Sequence, residues 1–70
     1  MENIARGNIK QMIDTIILKR SKGNPLLVGV TRTKLLLKGI NVNKFTETSS
    51  DDPVIIHKLL LIAKELGVAI

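Results

Sequence analysis

One local frame occurs twice in this 70-residue chain and constrains its fold more than any other feature. Asn24-Pro25 is answered by Gly39-Ile40, and Asp52-Pro53 by Gly67-Val68. Asn and Asp are strong helix N-caps. Proline is favoured at the first helical position, because the N–H it lacks has no partner there anyway. Glycine takes the left-handed turn that ends a helix, and an apolar residue after it folds back on the last turn. Proline to glycine is fourteen positions in both frames. The spacing predicts two helices of equal length, near 25–38 and 53–66. Their faces do not repeat: Lys34 aligns with Ile62 and Leu36 with Lys64, so the frame is not an internal duplication.

A third helix is predicted near 8–21. Ala5, Ile9, Met12, Ile13, Ile16 and Ile17 recur at the 3–4 spacing of one helical face. Asn8 with Gln11 three residues on resembles a capping box. Lys19 and Arg20 sit in the last turn, where the helix dipole favours cations, and Gly23 stops the helix. The segment 41–51 is rich in Asn, Thr and Ser and reads as a loop, with Phe45 as an apolar plug at one end of the bundle. Leu26-Leu27-Val28-Gly29-Val30 would pass as a short strand, but no second such run exists for it to pair with. The expectation is therefore an all-α fold: one small three-helix domain over residues 1–70.

Size makes such a domain marginal, because short chains bury a small fraction of their unfolded surface. With no Cys, neither a disulfide nor a thiolate metal site can support it. Association is the remaining route to buried area, and 44% apolar content with a single aromatic residue points the same way. Helix three has one broad apolar arc of Ile55, Ile56, Leu59, Leu60, Ile62, Ala63 and Leu66, with Leu61 and Val54 among the charges opposite. Helix two differs. Leu26, Leu27, Val30 and Leu37 lie on one side, and Val28, Leu35 and Leu36 on nearly the other. A helix apolar on two sides is buried on two sides, which a helical homodimer achieves. Leu27, Val28, Leu35, Leu36 and Leu61 are the association residues expected from this pattern.

Little is present for catalysis. There is no Cys, Tyr or Trp, no phosphate-binding loop and no dinucleotide fingerprint. His57 has Pro53, Val54, Leu60 and Leu61 as its helical neighbours and no carboxylate to orient it as a base. Ser49-Ser50-Asp51-Asp52 reads as a run of capping residues with acids at the positive end of a helix. No enzyme activity, metal site or cofactor is expected. No apolar run approaches the length of a membrane span, and the first residues do not resemble a secretory signal, so the expected location is the cytoplasm.

Charge suggests the rival function. Residues 1–44 carry a net +7 and residues 45–70 a net −2, within an overall +5. A basic half is the electrostatic footprint of a nucleic-acid binder. Lys19, Arg20, Lys22, Arg32, Lys34 and Lys38 are its candidate contacts, with Arg32 the arginine of helix two able to fork onto a guanine edge. Two features oppose it. Phe45 offers no stacking platform alone. A recognition helix would also have to present Leu35-Leu36-Leu37 in place of a polar reading face. The preferred expectation is a non-enzymatic helical protein-interaction module, self-associating or bound to a partner protein, with nucleic-acid binding as the alternative. If Asp52 caps helix three, Asp52→Ala should lower stability by about 0.5–2 kcal/mol in chemical denaturation.

Overall fold

A computed structural model describes residues 7–70. Among them are three α-helices, α1 (Asn8–Ser21), α2 (Pro25–Leu37) and α3 (Pro53–Glu65), with a single 3₁₀ turn at Val42–Lys44. All three lie where the sequence places them, to within one residue at each end. The first residues of helix one's expected face, including Ala5, fall outside the described segment.

Both Asx-Pro openings form as expected. The Asn24 side chain accepts the Leu26 N–H at 3.0 Å and the Asp52 carboxylate accepts the Val54 N–H at 2.9 Å. The two closings are equally regular. At the end of α2, the Ile40 N–H bonds the Leu35 carbonyl at 2.8 Å, across Gly39 at φ +92°. At the end of α3, the Val68 N–H bonds the Ala63 carbonyl at 2.8 Å, across Gly67. Each bond returns the apolar residue after the glycine to the core side of its own helix. Ile40 and Leu35 are wholly buried, and Ala63 and Val68 are buried beside them.

The start of α1 departs from expectation. Its N-cap is Gly7, at φ +83°, with no side-chain cap of its own, so Asn8 and Gln11 form no capping box. The cap arrives from 43 residues away. Asp51 accepts the Asn8 N–H at 3.0 Å with one carboxylate oxygen and the Asn8 side-chain amide with the other. The Ser49 carbonyl accepts the Gly7 N–H at 3.0 Å. Any Cβ at Gly7 would lie 2.7 Å from the Glu47 carbonyl oxygen, so this docking requires glycine twice over: for φ and for space. The capping run 49–52 thus serves two helices, Asp51 for α1 and Asp52 for α3. At the other end of α1, Lys22 shares the left-handed turn with Gly23, at φ 50°, while its N–H bonds the Leu18 carbonyl at 2.9 Å.

The central helix is α1. It packs chiefly on α2, to which the short turn at 22–24 joins it antiparallel, and also on α3. α3 runs in the same sense as α1. Asp51 ties its start to the start of α1, and Lys19 Nζ reaches the Ala69 carbonyl at 2.6 Å beyond its end. The core is aliphatic: Ile9, Ile13, Ile16 and Ile17 from α1, Leu35 from α2, Leu59, Ile62 and Ala63 from α3, with Ile40 and Val68. Phe45 packs half-buried against it, as its place in the loop suggests. Leu60, counted in the apolar arc of helix three, is 47% exposed at the margin of that arc.

Because Asp51 is the only side chain among the described residues that caps the start of α1, Asp51→Ala should destabilise the fold by about 1–2 kcal/mol, at least as much as loss of an ordinary local cap. Asp51→Asn, which keeps an acceptor, should cost less. A denaturation midpoint unmoved by Asp51→Ala would exclude this long-range cap.

Candidate functional site

α2 is amphipathic by position but not by composition. Thr31 and Leu35 are buried against the core, with Val28 half-buried beside them. Thr31 is tolerated there because its hydroxyl donates to the Leu27 carbonyl of the preceding turn at 2.7 Å, leaving no unmet polar atom. Straight opposite, Leu26 and Leu37 are 80% and 81% exposed, and Val30 between them is 47% exposed. Gly29 and Thr33 complete this outer stripe. It carries no charge along its length. Leu36 on one flank and Leu27 on the other are also exposed.

The two apolar sides of α2 are therefore real, and of the association residues expected from sequence Leu35 and Val28 lie on the inward one. Leu35 is wholly buried within the chain and Val28 faces the same core, so a second folded copy has no access to Leu35 and little to Val28. Leu27 and Leu36 are exposed on the flanks of α2, and Leu61 is exposed on α3. The residues of the outer stripe, Leu26, Val30 and Leu37, share one side of the helical wheel in the sequence. The position of Leu35 at the glycine stop was the signal for which side turns inward.

Beside the stripe, α1 and α2 leave an open groove of about 420 Å³, lined by Ile17, Leu18, Val28 and Pro25 with Asp14 and Arg32 toward one end. Asp14 is held by Lys10 at 2.8 Å. Leu18, at the groove's edge, is exposed.

The basic candidates do not converge. Lys19 is engaged with the Ala69 carbonyl, and Arg20 and Lys22 lie by the α1–α2 turn. Lys38 forms an ion pair with Glu65 of α3. Lys34 and Lys38 stand 9 and 13 positions beyond Pro25, the first residue of α2, about 14 and about 20 Å along its axis at 1.5 Å per residue. Arg32 and Lys34 project about 160° apart around α2 at 100° per residue. Among the described residues these side chains share no single face. Arg6, also in the basic half, lies outside the described residues.

His57 is exposed on α3 and makes no hydrogen bond among the described residues. Among those residues no cluster of His, Asp or Glu fit to hold a metal is found, and no helix is long and apolar enough to cross a membrane. No model of a known protein family, no curated protein and no solved structure matches this chain.

With its basic side chains so dispersed, micromolar protein should give no gel shift of mixed-sequence duplex or single strands at about 50 mM salt, where non-specific binders are retained. A shift lost in Arg32→Ala/Lys34→Ala would revive the nucleic-acid reading.

Proposed function

We propose that this chain is a non-enzymatic helical interaction module that self-associates through the outer stripe of α2. The observation that carries the reading is the exposure of Leu26 and Leu37, more than three-quarters each, on the side of α2 opposite its buried face. Single exposed leucines are ordinary on any protein surface. A contiguous, uncharged and mostly apolar stripe along a whole helix is not, and it marks a surface that another surface covers.

A second copy is the occupant that the stripe itself favours. An isologous contact needs a patch that matches its own reversed image. Leu26, Val30, Thr33 and Leu37 are symmetric about the midpoint between Thr31 and Arg32. Two α2 helices crossing antiparallel at that point place Leu26 on the partner's Leu37, and Val30 on the partner's Thr33. Gly29, which has open space where a Cβ would stand, lets the two backbones approach.

The expected affinity is modest. A 13-residue helix is about 20 Å long and ~10 Å across. With the rim residues Leu18 and Leu36, it covers roughly a few hundred Å² of each partner, the weak end of specific interfaces. The dimer should therefore form at tens to hundreds of micromolar.

Sedimentation equilibrium across that range tests the reading. Wild-type protein should approach twice its 7.7 kDa chain mass. Leu26→Lys/Leu37→Lys should stay monomeric with an unchanged helical circular-dichroism spectrum, because neither side chain contributes to the core. A wild-type chain that remains monomeric at the top of the range sinks the proposal.

A further inference from the structure

The groove between α1 and α2 is apolar at one end and charged at the other. Toward the turn that joins the helices it is lined by Ile17, Leu18, Ser21, Pro25 and Val28. Ser21 is buried and its hydroxyl donates to the Leu18 carbonyl at 3.4 Å, so it brings no unmet polar atom to the groove. The first turn of α2 starts at this end, but its donors are taken. Pro25 has none, the Asn24 side chain holds the Leu26 N–H, and the Asn24 carbonyl accepts the Leu27 and Val28 N–H groups. That end therefore offers an anion no helix donor.

Charge stands at the far end, where Asp14 of α1 and Arg32 of α2 border the groove. Asp14 is paired with Lys10 at 2.8 Å, whereas Arg32 is exposed and makes no ion pair among the described residues. Lys10, Asp14 and Arg32 together leave one positive charge unmatched. From Arg32 back to Pro25 is seven positions of α2, about 10 Å along its axis.

We infer that this groove binds a medium-chain monocarboxylate, a free fatty acid, with its carboxylate on Arg32 and its tail lying between α1 and α2 toward Pro25. The groove's volume of about 420 Å³ and its apolar walls with one charged anchor suit a small ligand of this kind. The guanidinium fork matches a carboxylate with two parallel hydrogen bonds. One unmatched charge suits one carboxylate. A dianionic head would face Asp14 with no unpaired cation left for its second charge. The distance from Arg32 to Pro25 accommodates an extended tail of about eight carbons. The site is complete within one chain and lies on a flank of α2, so it does not depend on pairing through Leu26, Val30 and Leu37.

Chain length gives the groove a signature. Being open, it covers the tail on one side, so each methylene should tighten binding by about two-fold, near half the free energy of full burial. The gain should stop where the tail passes Pro25, at about eight carbons.

The test is a nitrogen–proton NMR titration of the full chain with sodium hexanoate, octanoate and decanoate, each below its micelle-forming concentration. Octylammonium chloride serves as the cation with a matched tail. Octanoate should shift the amides of Leu18, Val28 and Arg32 most strongly. It should bind about four-fold more tightly than hexanoate, with little further gain for decanoate. Octylammonium should bind more weakly than octanoate. Arg32→Gln, which keeps the fold because Arg32 is exposed, should weaken octanoate by about five-fold and erase its advantage over octylammonium. No shift with octanoate, or an affinity unchanged in Arg32→Gln, overturns the site. So does a response centred on Leu26, Val30 and Leu37, which would put the tail on the outer stripe of α2.

Discussion

The architecture depends on two hydrogen bonds, Ile40 N–H to the Leu35 carbonyl and Val68 N–H to the Ala63 carbonyl. Each closes a helix, and each also sets its rotation about its own axis. The residue after the glycine must be buried to be worth folding back, so the side of the helix it returns to becomes the inner side. On α2 this commits Leu35, and with it Thr31 and Val28, to the core. On α3 it commits Ala63, and with it Leu59 and Ile62. The isoleucines of α1 then fill the space between two helices whose inward faces are already fixed.

That constraint explains what was and was not legible in the sequence. The positions of α2 and α3 were legible because all four of their boundaries rest on local chemistry: Asx before proline, glycine before an apolar residue. The cap of α1 was not, because it is supplied by Asp51, and no local pattern announces a partner 43 residues away. The two-sided character of α2 was legible too, but the direction of its sides was not. Hydrophobicity alone ranks the Leu26–Val30–Leu37 side at least as high as the side containing Thr31. The inward side is nevertheless the one with the threonine, since a hydroxyl bonded to its own helix loses little on burial. A two-sided pattern alone therefore places Leu35 and Val28 among the association residues, and the broad arc of helix three includes Leu60 although it stands at the arc's margin.

An aliphatic core this small leaves a surplus of leucine. With one Phe and no Tyr or Trp, the chain has few large residues with which to fill its interior. Leu26, Leu36, Leu37, Leu60 and Leu61 stay at the surface, interleaved with lysine and arginine. Positive charge therefore borders the apolar area closely: Arg32 and Lys34 flank the uncharged stripe of α2, and Lys58 and Lys64 stand near Leu61 on α3. Any surface that covers the leucines must also accommodate the cations, and this coupling, more than either property alone, restricts what can bind.

The long-range cap also bears on the order in which the chain can fold. The hairpin of α1 and α2 is held by near neighbours and can close early, as contacts of small sequence separation do. The first turn of α1 cannot be completed at that stage, because its acceptors, the Asp51 carboxylate and the Ser49 carbonyl, arrive only with the loop that leads into α3. Detaching that loop and unwinding the beginning of α1 are then a single event in the native protein. The amide protons of Gly7 and Asn8, at the far end of the sequence from α3, are accordingly reporters of whether the third helix is docked.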